Sequence, residues 1–287
     1  MRYIKILIMG ILLSLCSIST SAQISGWGLA DTNLPYFPYD ISNYEILDTT
    51  QLIVKYKAVY PYTDVTKGKE QAEDIMILEL GQNINKFYSE NMNLMERRKS
   101  FKEKVKVRTK QNYLPYMIYE NRVGGVREVV NRIPFSSDNE AYSYKENIST
   151  INWIIGNQVD TLYGYTCHHA YATINGRIWN VLFTTDIPQP YGPWKLSGLP
   201  GLIVKAEDAD SIFSFEITEI LQIEEPITKP KWHYVLISKK KWMKFEKAIH
   251  ESPYDYFTQG GTYQIFIGRT NEVMTPEWTI PYFPIEK

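Results

Sequence analysis

Three adjacent residues, Cys167, His168 and His169, could begin a metal site. They lie in a segment that alternates like a β-strand, and neighbouring strand residues face opposite sides of a sheet. His168 and His169 therefore should not chelate one ion, whereas Cys167 and His169 share a face and could supply two ligands. Further ligands would have to come from elsewhere, and the sequence does not show whether His233 or His250 approaches.

Cys167 and His169 also have the residue types of a thiol nucleophile and its base. Their Cβ atoms would be about 7 Å apart on one strand, which is long for direct proton transfer, and no third orienting residue is visible. The chain has no G-x-S-x-G elbow and no H-E-x-x-H motif, and no carboxylate pair stands out among its 32 acidic residues. We therefore predict no catalytic residues, metal or cofactor, with a metal-dependent or thiol hydrolase at Cys167 and His169 as the alternative.

The same segment is predicted to form a hairpin whose two-residue turn is Asn175-Gly176. This turn pairs Ala172 with Trp179, a small side chain against a large one, as is typical of a packed face. The opposite face carries both aromatic and polar side chains. A surface of this composition can line a ligand cleft or accept a strand from a partner, and it can equally be an ordinary solvent-exposed face. The candidate ligand-binding residues on it are Tyr165, Cys167, His169, Tyr171 and Asn180.

A second segment, GLPGLIV from Gly198 to Val204, places proline and glycine directly before a β-branched run. Pro200 sets φ at the second position of a type II turn, and Gly201 would supply the positive φ of the third. Gly198 adds another permissive backbone position. We interpret Gly198, Pro200 and Gly201 as a structural turn that starts a strand, because a phosphate-binding loop would be followed by a helix.

Strand patterns dominate the rest of the chain. Residues 52–60 alternate as a half-buried strand, and hairpins are predicted at Gly124-Gly125 and at residues 208–211. Helices are predicted over residues 91–105 and 238–252, the second with Ser238 as its N-cap. The proline-rich tail is expected along a sheet edge. The fold class is α+β, mainly β: a curved antiparallel sheet, bowl-like or a half-barrel, with two helices packed on it, in one domain over residues 23–287.

The N-terminus has the pattern of a secretory signal peptide over residues 1–22. A basic start is followed by a short apolar run and by small residues that end at Ala22. A lipid anchor at Cys16 is the alternative, although Leu15 is large for the preceding position. We expect an exported protein, periplasmic, associated with the outer membrane or secreted, with no transmembrane segment. The net charge of -1 argues against nucleic acid as a partner.

An ordered set of residues between Trp153 and Ile220 resembles a known family. The set comprises Trp153, Gly164-Tyr165, Cys167, Ala170, Gly176-Arg177, Ile187-Pro188, Gly192-Pro193-Trp194 and the run GLPGLI itself. It is similar to the GLPGLI family of exported bacterial envelope proteins, which is related to the N-terminal bowl-like domain of type II peptide:N-glycanase. The chain departs from the family pattern at His168-His169 and at Phe183-Thr184.

The resemblance implies an uncharacterised envelope protein, often associated with outer-membrane receptor systems, and it transfers no catalytic residue. Together with the strand pattern, it leads us to expect a non-catalytic protein that binds a ligand or protein partner on a concave β-sheet. An accessory role to an outer-membrane receptor is part of this expectation. A purely structural module is the third possibility.

Overall fold

The computed structural model describes residues 36, 38–64, 68–100, 113–134, 139–258, 266–267, 272–273, 275–277 and 279–287. The predicted signal peptide and Cys16 lie outside these residues. The strands are β1 Tyr44–Asp64, β2 Gly68–Gly81, β3 Ile84–Ser89, β4 Tyr116–Asn121, β5 Val126–Arg132, β6 Glu140–Asn147, β7 Ile154–Leu162, β8 Tyr165–Ile174, β9 Arg177–Thr184, β10 Leu202–Asp208, β11 Ser214–Leu221, β12 Pro226–Pro230, β13 His233–Leu236, β14 Phe266–Ile267 and β15 Glu272–Val273. The helices are α1 Glu90–Ser100, α2 Lys239–Glu251 and α3 Pro253–Thr258.

One large, unclosed sheet organises the described residues. Its strand order is β13-β6-β5-β4-β3-β2-β1-β11-β10-β9-β8-β7, and β12 pairs with the first part of the long strand β1. All of these pairings are antiparallel except β13 with β6, which is parallel. The predicted mainly β class with an antiparallel sheet is therefore confirmed, and α3 adds a third helix to the two predicted.

The predicted hairpin at Asn175-Gly176 is confirmed together with its register. Ile174 pairs with Arg177 across the two-residue turn, and Ala172 pairs with Trp179 further along β8 and β9. Asn175 and Gly176 both have positive φ, 47° and 80°, as a turn of this length requires. Local turn chemistry is therefore enough to place the two strands against each other.

The sheet curls around its main hydrophobic core. Lys195 follows β9 in the chain, yet its carbonyl oxygen accepts a hydrogen bond of 3.3 Å from the Nη2 of Arg127 in β5. Its Nζ lies 2.6 Å from the Oε1 of Glu146 in β6. Because β5 and β6 lie many strands away from β9 in the sheet order, these contacts require a strongly curved sheet. The core side of the sheet is called the inner face below.

A smaller core covers the other face of the sheet near β1 to β6. Ile53, Tyr88 and Val130 are buried there, beneath Tyr39 and Trp232 from flanking segments. The Tyr39 and Trp232 rings meet edge to face, with centroids 4.9 Å apart. The middle of the sheet is thus buried on both sides. Apolar and polar residues therefore alternate less clearly along its strands than along those of a sheet with one exposed face.

The helices follow their local sequence signals. The side-chain oxygen of Ser238 accepts a hydrogen bond from the backbone N–H of Lys241, so the predicted N-cap of α2 is confirmed. Helix α1 ends at Ser100 within the described residues, and the remainder of its predicted range lies outside them. No helix among the described residues is long and apolar enough to cross a membrane.

The backbone before β10 differs from the predicted type II turn. Gly198 has a φ of +95°, whereas Gly201 lies outside the left-handed region, so the positive φ predicted for Gly201 is wrong. A Cβ added at Gly201 would lie 1.9 Å from the carbonyl oxygen of Thr184. Gly201 is needed because two backbones approach closely where β10 pairs with β9. The prediction that a strand starts at Leu202 is confirmed.

The C-terminal tail, residues 279–287, crosses the inner face instead of following a sheet edge. The N–H of Ile280 donates to the carbonyl of His250 at the end of α2, and the N–H of Lys287 donates to the carbonyl of Asn175 in the β8–β9 turn. Between these points, the carbonyls of Pro284 and Ile285 accept hydrogen bonds from the buried guanidinium of Arg177. The tail therefore joins α2 to the opposite end of the sheet.

Candidate functional site

The predicted face of β8 and β9 is exposed at one end and buried at the other. Tyr171 is 47% exposed, and its partner across the strands, Asn180, is also exposed. Tyr165 and His169 are half-buried, whereas Cys167 is completely buried in the main core. The five predicted residues therefore do not form one accessible surface, because packing closes the face around Cys167.

His169 has a carboxylate partner that the sequence analysis did not identify. Its Nε2 lies 2.7 Å from the Oδ2 of Asp160, a β7 residue paired with Cys167. The His169 side chain is 34% exposed and that of Asp160 is 49% exposed, so an ion pair between them has small energetic value. Among the described residues, no three His, Cys, Asp or Glu side chains converge as a metal site would need.

The Cys167 thiol lies in an environment that opposes nucleophilic use. The thiol donates a weak hydrogen bond of 3.5 Å to the carbonyl oxygen of Tyr165. Burial raises the pKa of Cys167, which reduces the thiolate fraction, whereas an activated cysteine has a lowered pKa. His168 is on the other face, where its ring packs against Phe183 with centroids 5.5 Å apart.

A cavity of about 160 Å³ lies on the inner face, between strands β4 to β6, helix α2 and the C-terminal tail. Trp194 and Lys195, from the segment that precedes GLPGLI, close another side. Aromatic and aliphatic side chains form most of the wall. The lining residues are Leu114, Pro115, Tyr116, Ile118, Val129, Asn131, Tyr144, Trp194, Lys195, Phe213, Trp242, Met243, Glu246, His250, Tyr282, Phe283, Pro284, Ile285 and Glu286.

Two polar atoms on the sheet side of this cavity have no hydrogen-bond partner in the part of the chain that the structure describes. They are the hydroxyl of Tyr116 and the Nδ2 of Asn131, which belong to residues paired across β4 and β5. Asn131 is only 6% exposed. Buried donors without a partner are uncommon in native proteins because each one costs about 1–3 kcal/mol, so such groups point to a bound molecule or water.

Glu246 projects from α2 into the same cavity. Its Oε2 accepts a hydrogen bond of 3.0 Å from the hydroxyl of Tyr282 in the tail. Burial raises the pKa of Glu246 to about 7, and the nearby Glu286 carboxylate adds to the rise. No lysine, arginine or histidine among the described residues forms an ion pair with Glu246, so the carboxyl group changes its charge near neutral pH.

His250 lies one helical turn after Glu246 on the same side of α2. Its Nδ1 is 3.1 Å from the carbonyl oxygen of Pro281, and a carbonyl can only accept, so Nδ1 carries a hydrogen. Burial lowers the pKa of His250, which keeps the ring neutral and leaves Nε2 as an acceptor. His250 therefore fixes the tail and adds no positive charge to the cavity.

A buried ion network borders the cavity beside the tail. The Glu146 carboxylate contacts the Nζ atoms of Lys195 at 2.6 Å and Lys239 at 3.1 Å. Glu286 of the tail forms short ion pairs with the same two lysines. Arg127 contacts Glu146 and, through its Nη2 at 2.5 Å, Glu120. Three acidic and three basic side chains thus balance each other.

The sequence patterns do not predict this cavity, although α2 carries one signal of it. The apolar stripe of α2 consists of Trp242, Phe245 and Ile249. Beside it, Glu246 lies four residues after Trp242, and His250 lies four residues after Glu246. A carboxylate and an imidazole beside an apolar stripe indicate polar groups directed toward a core. Their partners, Tyr282 and Pro281, could not be found because they belong to a tail that was expected at a sheet edge.

Comparisons with known proteins show limited similarity. No family model matches the chain, and no curated protein matches it, so membership of the GLPGLI family stays a prediction. Solved structures that match include PNGF-II in the P21 crystal form, at 13% sequence identity with a TM-score of 0.49, and PNGF-II in the C2 form, at 14% with a TM-score of 0.48. Each match covers 69% of this chain, and the matched part spans about a third of PNGF-II, 33% and 32% respectively.

Proposed function

We propose that this protein is a non-catalytic, exported envelope protein that binds a small amphipathic molecule in the cavity on the inner face of its sheet. The observation that carries the proposal is the cavity itself, which combines an aromatic and aliphatic wall with buried polar atoms that lack hydrogen-bond partners among the described residues. Ligand sites in proteins have this composition: mostly apolar walls and a few placed polar groups. Cavities of similar size accept benzene-sized molecules.

The lining supports binding more than covalent chemistry. Among the described residues, the lining contains no serine, threonine or cysteine, and its lysine, Lys195, is held between the carboxylates of Glu146 and Glu286. Serine, threonine and cysteine side chains and free lysine amines are frequent nucleophiles of covalent catalysis. The envelope location rests on the N-terminal sequence pattern, and an accessory role at an outer-membrane receptor rests on the resemblance to the GLPGLI family.

Intrinsic fluorescence offers a direct test, because Trp194 and Trp242 line the cavity. Titration with benzyl alcohol should change the emission of the protein and should saturate. The variant Met243→Trp, which places a larger side chain in the wall, should weaken this binding at least about tenfold. The matched control is Leu94→Trp on the exposed side of α1, which should bind as the wild type does. Failure of the wild-type protein to bind would contradict the proposal.

A protein partner at strand β7 is the second candidate function. This strand is the last of the sheet, without a neighbour on its outer side among the described residues, and Ile154, Ile155 and Val159 are each about half exposed. Exposed apolar edge strands accept a strand from another chain. The test is affinity capture of an envelope protein from cell-envelope extract. The variant Ile155→Lys should no longer capture the protein that the wild type captures, whereas the control Thr173→Lys should still capture it.

A further inference from the structure

The charges around the cavity are balanced except at Glu246. Arg127, Lys195 and Lys239 are neutralised by Glu120, Glu146 and Glu286 within one connected ion network. Glu246 stands outside this network, and among the described residues only the neutral hydroxyl of Tyr282 donates a hydrogen bond to its carboxylate. The cavity therefore holds one carboxylate more than it holds cations among the described residues.

A partly buried carboxylate without a cation is costly, and no basic side chain among the described residues forms an ion pair with Glu246. His250, one helical turn further along α2, donates its Nδ1 hydrogen to a backbone carbonyl and is kept neutral by burial, and Lys247 forms an ion pair with Glu251. The hydrogen bond from Tyr282 satisfies Oε2 alone. A positive group in the cavity would supply the missing charge and would form a charge-assisted hydrogen bond with the carboxylate.

The rest of the lining suits an apolar body attached to such a positive group. The rings of Trp194, Trp242 and Tyr144 lie in the wall, and aromatic faces attract organic cations as well as apolar groups. On the sheet side, the unpartnered Nδ2 of Asn131 and the hydroxyl of Tyr116 can hydrogen-bond an acceptor on the ligand. The three polar groups, one acidic and two neutral, thus come from different sides of one apolar space.

We propose that the ligand of this cavity is a small monocationic amine with an aromatic or aliphatic body, whose ammonium group pairs with Glu246. The inference rests on the proposed function, since it names the chemical class of the molecule bound at that same site. It assigns to Glu246 the role of charge recognition, and to Asn131 and Tyr116 the recognition of an acceptor group when the ligand carries one.

The test compares two probes of nearly equal shape, benzylamine and benzyl alcohol, by fluorescence titration at about pH 8, where the amine is still largely protonated and the carboxyl group is charged. Benzylamine should bind at least about tenfold more tightly than benzyl alcohol, as one charge-assisted hydrogen bond would provide. In Glu246→Gln this preference should disappear, because the amide carries no charge to pair with the ammonium group. The matched control is Glu251→Gln, an exposed acid on the same helix, which should keep the preference.

The outcomes separate the two proposals. If both probes bind the wild type equally, or if Glu246→Gln keeps the preference for the amine, the assignment of a cationic ligand is overturned, and the cavity remains a binding site. If neither probe binds the wild type, both proposals fail. Thermal unfolding of each variant, recorded alongside, shows that a loss of binding does not arise from loss of the fold.

Discussion

The Nη1 of Arg177 lies 2.8 Å from the Oδ2 of Asp208, and both side chains are almost completely buried. Arg177 begins β9, and Asp208 ends β10, so this ion pair joins the ends of two adjacent strands. The same guanidinium donates to the carbonyls of Pro284 and Ile285. One side chain thus couples the sheet to the tail that closes the cavity.

We expect Arg177→Ala to lower the free energy of unfolding by about 3–5 kcal/mol, because it leaves the buried Asp208 carboxylate without a cation. Urea denaturation measures the change. Lys205→Ala is the control, since it removes an ion pair with Glu216 in which both side chains are about one third exposed, and it should cost less than about 1 kcal/mol. Equal effects of the two substitutions would contradict the structural role of the buried pair.

Glu286→Ala should release the tail from the ion network. Among the described residues, it leaves Glu146 as the one acidic partner of Lys239 and of Lys195, which is 2% exposed, and we expect a loss of about 3 kcal/mol in unfolding free energy. Amide exchange at Ile280 and Lys287, whose N–H groups bond to distant carbonyls, should accelerate. Lys287→Ala, which removes an exposed ion pair with Asp210, should leave the exchange at Ile280 unchanged.

Gly201→Ala should destabilise the protein by at least about 3 kcal/mol, because the new Cβ would collide with the backbone oxygen of Thr184, which cannot move without separating β9 from β10. Gly125→Ala isolates the effect of backbone conformation: its φ is +62°, and no atom lies within 4 Å of the added Cβ. That variant should lose only about 1–2 kcal/mol. Thermal and urea unfolding distinguish the two, and similar losses would argue against the close approach.

The charge of Glu246 predicts a pH dependence of stability. Its pKa of about 7 in the folded protein exceeds the ordinary value of 4.5, so the folded state binds the proton more tightly. The unfolding free energy should therefore fall as the pH rises from about 4.5 to 7, by about 1–3 kcal/mol from this group, and stay lowered above pH 7. The difference between wild type and Glu246→Gln isolates this contribution. A difference that does not vary with pH would contradict it.

Cys167 should react slowly with thiol reagents in the folded protein lacking residues 1–22, and rapidly in urea. The thiol is completely buried, and burial raises its pKa, so both access and the thiolate fraction are low. Labelling with a chromogenic disulfide reagent measures the rate. Immediate reaction of the native protein would instead favour the thiol-based alternative.

The sequence by itself determined features that depend on a few neighbouring residues. Asn175-Gly176 specified the β8–β9 hairpin and its register, because a two-residue turn with positive φ leaves one way to pair the strands. Ser238 specified the start of α2 in the same way, since its side chain caps an N–H three residues later. These features follow from backbone dihedral preferences and local hydrogen bonds, which a short segment contains in full.

Only the tertiary structure decided where the buried groups meet. Alternation predicts one face for Cys167 and Tyr171, yet Cys167 is completely buried and Tyr171 is 47% exposed, because packing by other segments covers only the first. Glu246 and Tyr282 form a hydrogen bond although they are 36 residues apart in the chain. The cavity exists because the tail crosses the inner face of the sheet instead of following a sheet edge. Burial and contact between distant segments depend on the path of the whole chain, and no local pattern contains that information.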